Sequence, residues 1–128
     1  MKAGNVTTGP RLRVVLEPEI ALGPGKADLL ERIRDTGSIA EAGRELGMSY
    51  KRAWTLIDEL NRCFRQPLVE TSRGGSGHGG AALTRRGEEV LASYRRMEAA
   101  TCAAVREDLE ALRKLVASSP DDLLAKAC

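Results

Sequence analysis

A mainly α-helical fold with a small β component is predicted by three observations on the sequence. The run from Gly37 to Phe64, GSIAEAGRELGMSYKRAWTLIDELNRCF, reads as two amphipathic helices joined by a tight turn. Two short strand-like segments, Leu68–Thr71 and Ala81–Thr84, flank the Gly-rich stretch SRGGSGHGG. From Thr84 onward an apolar helical pattern continues almost to the end of the chain. Together they predict a winged helix-turn-helix followed by a long C-terminal helix. The expected division is a disordered N-terminus over 1–10, the winged domain over 11–84, a linker and dimerisation helix over 85–117 and a flexible tail over 118–128.

Composition sets the limits within which this holds. A chain of 128 residues fits one domain with a protruding element, and 42% hydrophobic residues suffice for a core that 3% aromatic content leaves mostly aliphatic. The net charge of +2 announces no partner, but its distribution is uneven. Residues 49–86 carry seven Lys/Arg against three Asp/Glu, whereas 1–48 are balanced and 87–128 are acidic. The positive excess falls on the second helix of the motif and the Gly-rich ribbon, where phosphate contacts would be needed. Cys63, Cys102 and Cys128 form no CxxC pair, and His78 is the single histidine. That spacing argues against a zinc site, a redox pair or a disulfide framework, so no cofactor or metal is expected. No apolar run approaches a membrane span and the N-terminus has no apolar leader core, which predicts a cytoplasmic protein with no membrane partner.

Taken in order, RLRVVLE alternates, with Leu12, Val14 and Leu16 on one face and Arg11, Arg13 and Glu17 mostly on the other, as in a half-buried strand over about 11–17. Pro18 ends it, Ile20–Leu22 forms a second short strand, and Gly23-Pro24-Gly25 turns into a first helix over about 25–36 that buries Leu29, Leu30 and Ile33. Gly37 suits a left-handed helix end. Ser38 with Glu41 reads as a capping box for a second helix burying Ile39, Ala42 and Leu46. Gly43 marks a close helix crossing and Gly47 the turn.

Ser49 caps the third helix, in which Ala53, Trp54, Ile57, Leu60 and Phe64 recur at helical spacing and are expected in the core. Tyr50, Lys51, Arg52 and Thr55 occupy the opposite side of its first turn and a half. A solvated face is the commoner reason for charges on a helix. It gives no reason for four donors crowded at one end directly after a turn, whereas a helix entering the major groove does: Arg and Lys reach guanine edges, and Thr and Tyr reach phosphates or bases. The candidate DNA-binding residues are therefore Ser49, Tyr50, Lys51, Arg52 and Thr55, with Arg73 and His78 on the ribbon. The Gly-rich tip matches no phosphate-loop pattern, which sets nucleotide binding aside.

Thr84 caps the long helix, with Glu88 and Glu89 in its early turns where the helix dipole favours acids. Val90, Tyr94, Met97, Thr101, Val105, Leu109, Leu112 and Val116 recur at spacings of 4, 3, 4, 4, 4, 3 and 4, nearly a heptad seam. A helix of some thirty residues is about 45 Å long, too long for a small winged core to cover. The same helix of a second subunit is the expected cover, through Val90, Tyr94, Met97, Val105, Leu109, Leu112 and Val116.

Three pieces, SYKRAW at Ser49–Trp54, the GGxGxGGAxLT pattern over Gly74–Thr84 and Gly87, resemble the DNA-binding domain of ModE-type, molybdate-responsive regulators, which group with LysR-type winged helix-turn-helix proteins. The likeness spans roughly residues 12–115. It implies a winged-helix fold, a homodimer joined through the terminal helices and an inverted-repeat operator. By position, Ser49, Tyr50, Lys51, Arg52 and Thr55 match the family's groove-facing residues and Arg73–Gly80 its wing. Full-length members continue into oxyanion-binding domains that this sequence does not contain, so the resemblance implies no molybdate site here and points to a stand-alone regulator or one paired with a separate sensor.

The expectation is thus a dimeric, sequence-specific DNA-binding transcription regulator that is not an enzyme, since no Ser/His/Asp, Cys/His or paired-carboxylate arrangement is readable. Its partners would be double-stranded DNA and a second copy. The alternative is a winged-helix interaction module that dimerises with, or titrates, a full-length relative.

Overall fold

The computed structural model describes residues 8–73 and 79–117. Its elements run β1 (Val14–Glu17), β2 (Ile20–Leu22), α1 (Pro24–Thr36), α2 (Ile39–Glu45), α3 (Tyr50–Cys63), β3 (Val69–Arg73), β4 (Gly79–Leu83) and α4 (Arg85–Lys114). The mainly helical fold with two small antiparallel ribbons, β1–β2 and β3–β4, is the one the sequence predicts. Among the described residues, no helix is long and apolar enough to cross a membrane.

Each helix begins and ends where its local chemistry requires. Ser38 Oγ accepts the Glu41 amide at 3.1 Å, and Ser49 Oγ accepts the Arg52 amide at 3.0 Å. The reciprocal half of the expected capping box does not form, because the Glu41 carboxylate pairs with Arg44 instead. Gly37 and Gly47 carry φ of 72° and 70°, a conformation nearly free for glycine and strained for other residues.

The core lies where α1, α2, α3, the β3–β4 ribbon and the start of α4 meet. Leu29, Leu30 and Ile33 of α1 are fully buried against Ala42, Ala53, Ile57, Leu60, Leu68 and Leu91. Burial of side chains of this size stabilises by roughly 1.5–3 kcal/mol each, which makes this aliphatic cluster the main support of the domain. Gly43 lets α2 and α3 cross closely, since a Cβ there would stand 3.2 Å from Ala53 Cβ. The ribbon is tied to the helices by the Ala81 amide, which donates to the Gly37 carbonyl at 2.9 Å.

Three expectations are corrected. Leu16 is 49% exposed, because the β1–β2 register slips between Val15 and Glu17 and breaks the alternation that would turn Leu16 inward. Trp54 is 37% exposed, and the buried stripe of α3 is Ala53, Leu56, Ile57 and Leu60. Tyr94 is not on a free seam: it is completely buried in its own domain, and its hydroxyl donates to the Leu12 carbonyl at 2.6 Å. Val90 likewise packs against this core, so the apolar repeat of α4 serves its own domain first.

The same part of α4 is held on α1 by Arg95, whose guanidinium reaches Asp28 at 2.8 Å, Glu31 at 3.1 Å and Glu98 at 2.8 Å. Burial works against its charge, yet the hydrogen bonds to Asp28 and Glu98 hold its pKa above the ordinary arginine value. Further along, Val105 and Leu109 are half-buried, whereas Leu112 and Val116 are 62% and 51% exposed.

Candidate nucleic-acid interface

The turn from α2 to α3 sets the site. The Met48 amide donates to the Gly43 carbonyl at 2.9 Å, and Gly47 turns the chain so that Ser49 can cap α3. With Ala53, Leu56, Ile57 and Leu60 seated in the core, a 3.6-residue period leaves Tyr50, Lys51, Trp54, Thr55 and Asp58 outward, with Arg52 on the flank. All of the predicted α3 site residues, Ser49, Tyr50, Lys51, Arg52 and Thr55, are exposed at its start.

Their hydrogen bonds define what each can still offer. Ser49 spends an oxygen lone pair on the Arg52 amide and keeps its hydroxyl hydrogen. The Thr55 hydroxyl donates to the Lys51 carbonyl at 2.9 Å, so outward it presents a methyl group and acceptor lone pairs rather than a donor. Lys51 and Arg52 have no carboxylate partner among the described residues. Arg62, nearly three turns further along the helix, is paired with Asp58. The uncompensated positive charge of α3 is therefore confined to its first turn.

Trp54 belongs to this face. Its ring meets that of Tyr50 edge-on, with centroids 6.2 Å apart and planes at 77°. An exposed aromatic pair beside two free cations supplies flat apolar surface of the kind that packs on thymine methyl groups or deoxyribose. The i, i+4 spacing of Tyr50 and Trp54 was the available signal, but a lone tryptophan at helical spacing from Ala53 and Ile57 reads equally well as core.

The ribbon stands beside this helix through a residue the sequence reading passed over. Asn61 Oδ1 accepts the Leu68 and Val69 amides at 2.9 and 3.1 Å, and its Nδ2 donates to the Val69 carbonyl at 3.1 Å. One side chain thereby fixes the end of α3 to the start of β3. A polar amide at the edge of a buried stripe, where it must find partners, was the signal. Arg73 ends β3 opposite Gly79, while His78 and the tip at 74–78 lie outside the described residues.

A capped helix carrying unpaired cations on its outward first turn, packed across a preceding helix and flanked by a two-stranded ribbon, defines a DNA-binding module of the winged helix-turn-helix class. The sequence comparisons agree with it. Residues 26–88 match the model of the bacterial regulatory helix-turn-helix protein, lysR family. The chain is 38% identical over 112 residues to the molybdenum-pterin-binding protein MopB of Rhodobacter capsulatus, covering 87% of this chain and 40% of that protein. It is 42% identical over 84 residues to MopA of the same organism, covering 66% and 32%. Against the DNA-binding transcriptional dual regulator ModE of Escherichia coli (strain K12) it is 39% identical over 83 residues, covering 65% and 32%. Residues 26–88 thus carry a lysR-family helix-turn-helix, and the chain matches the ModE-like DNA-binding domain while spanning 32–40% of the length of these curated relatives.

Proposed function

We propose that this chain binds DNA sequence-specifically as a homodimer on an inverted-repeat operator and thereby regulates transcription. The observation that carries the reading is the set of unpaired cations, Lys51 and Arg52, on the outward first turn of α3 beside Tyr50 and Thr55. In this reading 11–84 is the DNA-reading unit and 85–117, helical as far as Lys114, the dimerisation segment. Lys51 and Arg52 contact guanine edges or phosphates, Ser49 donates to a phosphate, and Arg73 and His78 approach the neighbouring groove from the wing.

Dimerisation is supported by the apolar residues that α4 leaves uncovered. Met97, Leu112 and Val116 are 41%, 62% and 51% exposed, and Val105 and Leu109 only half-buried. Apolar surface strung along a helix about 45 Å long is most economically covered by the same helix of a second copy, which would set two recognition helices on one face of the duplex.

Selection of genomic fragments by the purified protein at physiological salt, followed by titration on the best fragment, tests the proposal. Recovery of an inverted repeat bound at least about a thousandfold above random DNA is the expected result. One relative is named a molybdenum transport protein, so promoters of molybdenum-uptake genes are the first fragments to assay. Weak, uniform, salt-sensitive binding would reject sequence-specific regulation and leave an interaction module that pairs with another regulator.

A further inference from the structure

Several arginines among the described residues are already engaged. Arg32, Arg34, Arg44, Arg62, Arg86 and Arg95 each pair with a carboxylate. Away from them, a cleft of about 220 Å³ opens between the β1–β2 hairpin, the start of α1 and α3, lined by Arg13, Ala21, Gly23, Gly25, Lys26, Arg52 and Leu56. Three of these residues are cationic, they come from the approach to β1, from α1 and from α3, and no acid lines the cleft. Arg13 and Arg52 have no carboxylate partner among the described residues, and Lys26 Nζ makes its hydrogen bond to the neutral Ala21 carbonyl at 3.0 Å.

Three cations held around one opening repel one another, and among the described residues no carboxylate forms an ion pair with any of them. Such a cleft is complementary to a compact anion with several acceptor oxygens. Arg52 also belongs to the outward turn of α3, so the cleft is continuous with the proposed DNA-reading surface. The small residues Ala21, Gly23 and Gly25 leave it open to a group as large as a phosphodiester.

We propose that this cleft seats one phosphate of the DNA backbone, just outside the base pairs that α3 reads, and that Arg13 and Lys26 are anchoring residues. The β1–β2 hairpin is then a second contact element that fixes the register of α3 on the duplex. This inference rests on the DNA-binding reading above, and it adds residues that no groove-facing pattern in α3 would identify.

The test is a salt series of operator and random-DNA titrations on the full chain, comparing wild type with Arg13→Gln, Arg13→Lys and Lys26→Gln. Arg13→Gln is expected to weaken both DNAs about equally, by roughly five- to tenfold, and to reduce the slope of log K against log salt by about one. Arg13→Lys should recover most of the loss. Lys26→Gln also removes the bond to Ala21, so its melting temperature is measured alongside, and exposed Arg13 decides the outcome. As a direct check, single methylphosphonate substitutions are walked along the operator flank. One of them should weaken wild type and leave Arg13→Gln unaffected.

Unchanged affinity and slope for Arg13→Gln, with wild type still discriminating its operator, would overturn the cleft assignment and leave the DNA-binding reading intact. A loss of discrimination at constant random-DNA affinity would overturn it too, by making Arg13 a base reader. Absence of DNA binding by wild type removes both readings. Saturable stabilisation of the wild type by inorganic phosphate over chloride at equal ionic strength, lost in Arg13→Gln while DNA affinity is kept, would assign the cleft to a free oxyanion instead.

Discussion

The Tyr94 hydroxyl donates to the Leu12 carbonyl at 2.6 Å, joining the approach to β1 with a helix 82 residues further along. The ring is completely buried, and burial, with Glu98 nearby, pushes the phenol from its ordinary 10.0 up to about 12. Tyr94 therefore links the β1–β2 hairpin to α4 and also makes the fold sensitive to alkaline pH.

Tyr94→Phe should cost about 1 kcal/mol at pH 8, the usual worth of one buried hydrogen bond. Because the folded-state pKa is raised, the contribution of the neutral phenol is fully present below pH 10 and is lost as pH rises towards 12. Full deprotonation would forfeit roughly 2–3 kcal/mol. Urea midpoints of wild type should accordingly fall to those of the Phe variant above pH 10 and drop below them by about pH 12. Parallel curves across that window would show that Tyr94 does not titrate in this way.

Gly87 presses against backbone. A Cβ there would lie 2.1 Å from the Leu68 carbonyl oxygen, which already accepts the Thr84 amide at 2.9 Å. Neither partner can yield without shifting β3 against α4, so Gly87→Ala should destabilise by at least about 2 kcal/mol. Gly25→Ala meets nothing within 4 Å and should be neutral or slightly stabilising. Thermal melts of the pair read this contrast directly.

Asn61→Ala deletes three hydrogen bonds at once and leaves the part-buried Leu68 and Val69 amides short of an acceptor. A loss of about 2–3 kcal/mol is expected. Asn61→Asp keeps the acceptor but not the donor to Val69, and should fall between wild type and Ala in denaturant titrations.

On α3, Lys51→Ala and Arg52→Ala should each weaken operator binding by about 1–3 kcal/mol while leaving the melting temperature nearly unchanged, since both side chains are exposed. Trp54 is the single tryptophan of the chain and lies on this face. Its fluorescence should change as operator is added, and a Trp signal indifferent to saturating operator would move the contact elsewhere.

Leu109→Asp with Leu112→Asp places two charges on the distal apolar run of α4. Sedimentation should show a folded monomer in place of a dimer, and operator affinity should drop steeply because one half-site is lost. A variant that remains dimeric would place the association surface elsewhere.

The sequence by itself determined the elements whose signals are local. Ser38, Ser49 and Thr84 cap helices because a hydroxyl can reach an amide three residues on. Gly37 and Gly47 turn because no Cβ opposes a positive φ. The crowding of Tyr50, Lys51, Arg52 and Thr55 at one helix start needs only the 3.6-residue period to be read. Tertiary packing decided the rest, because burial depends on what lies opposite and periodicity does not report that. Tyr94 fits a seam of spacing 4 and 3, yet α1 and Leu12 claim it for the core. Trp54 fits a buried stripe, yet Leu56 occupies that place and turns the indole out beside Tyr50. A slip between Val15 and Glu17 exposes Leu16 in an alternating strand. The distant partners of Asn61, and the convergence of Arg13, Lys26 and Arg52 on one cleft, exist only once separate elements are brought side by side.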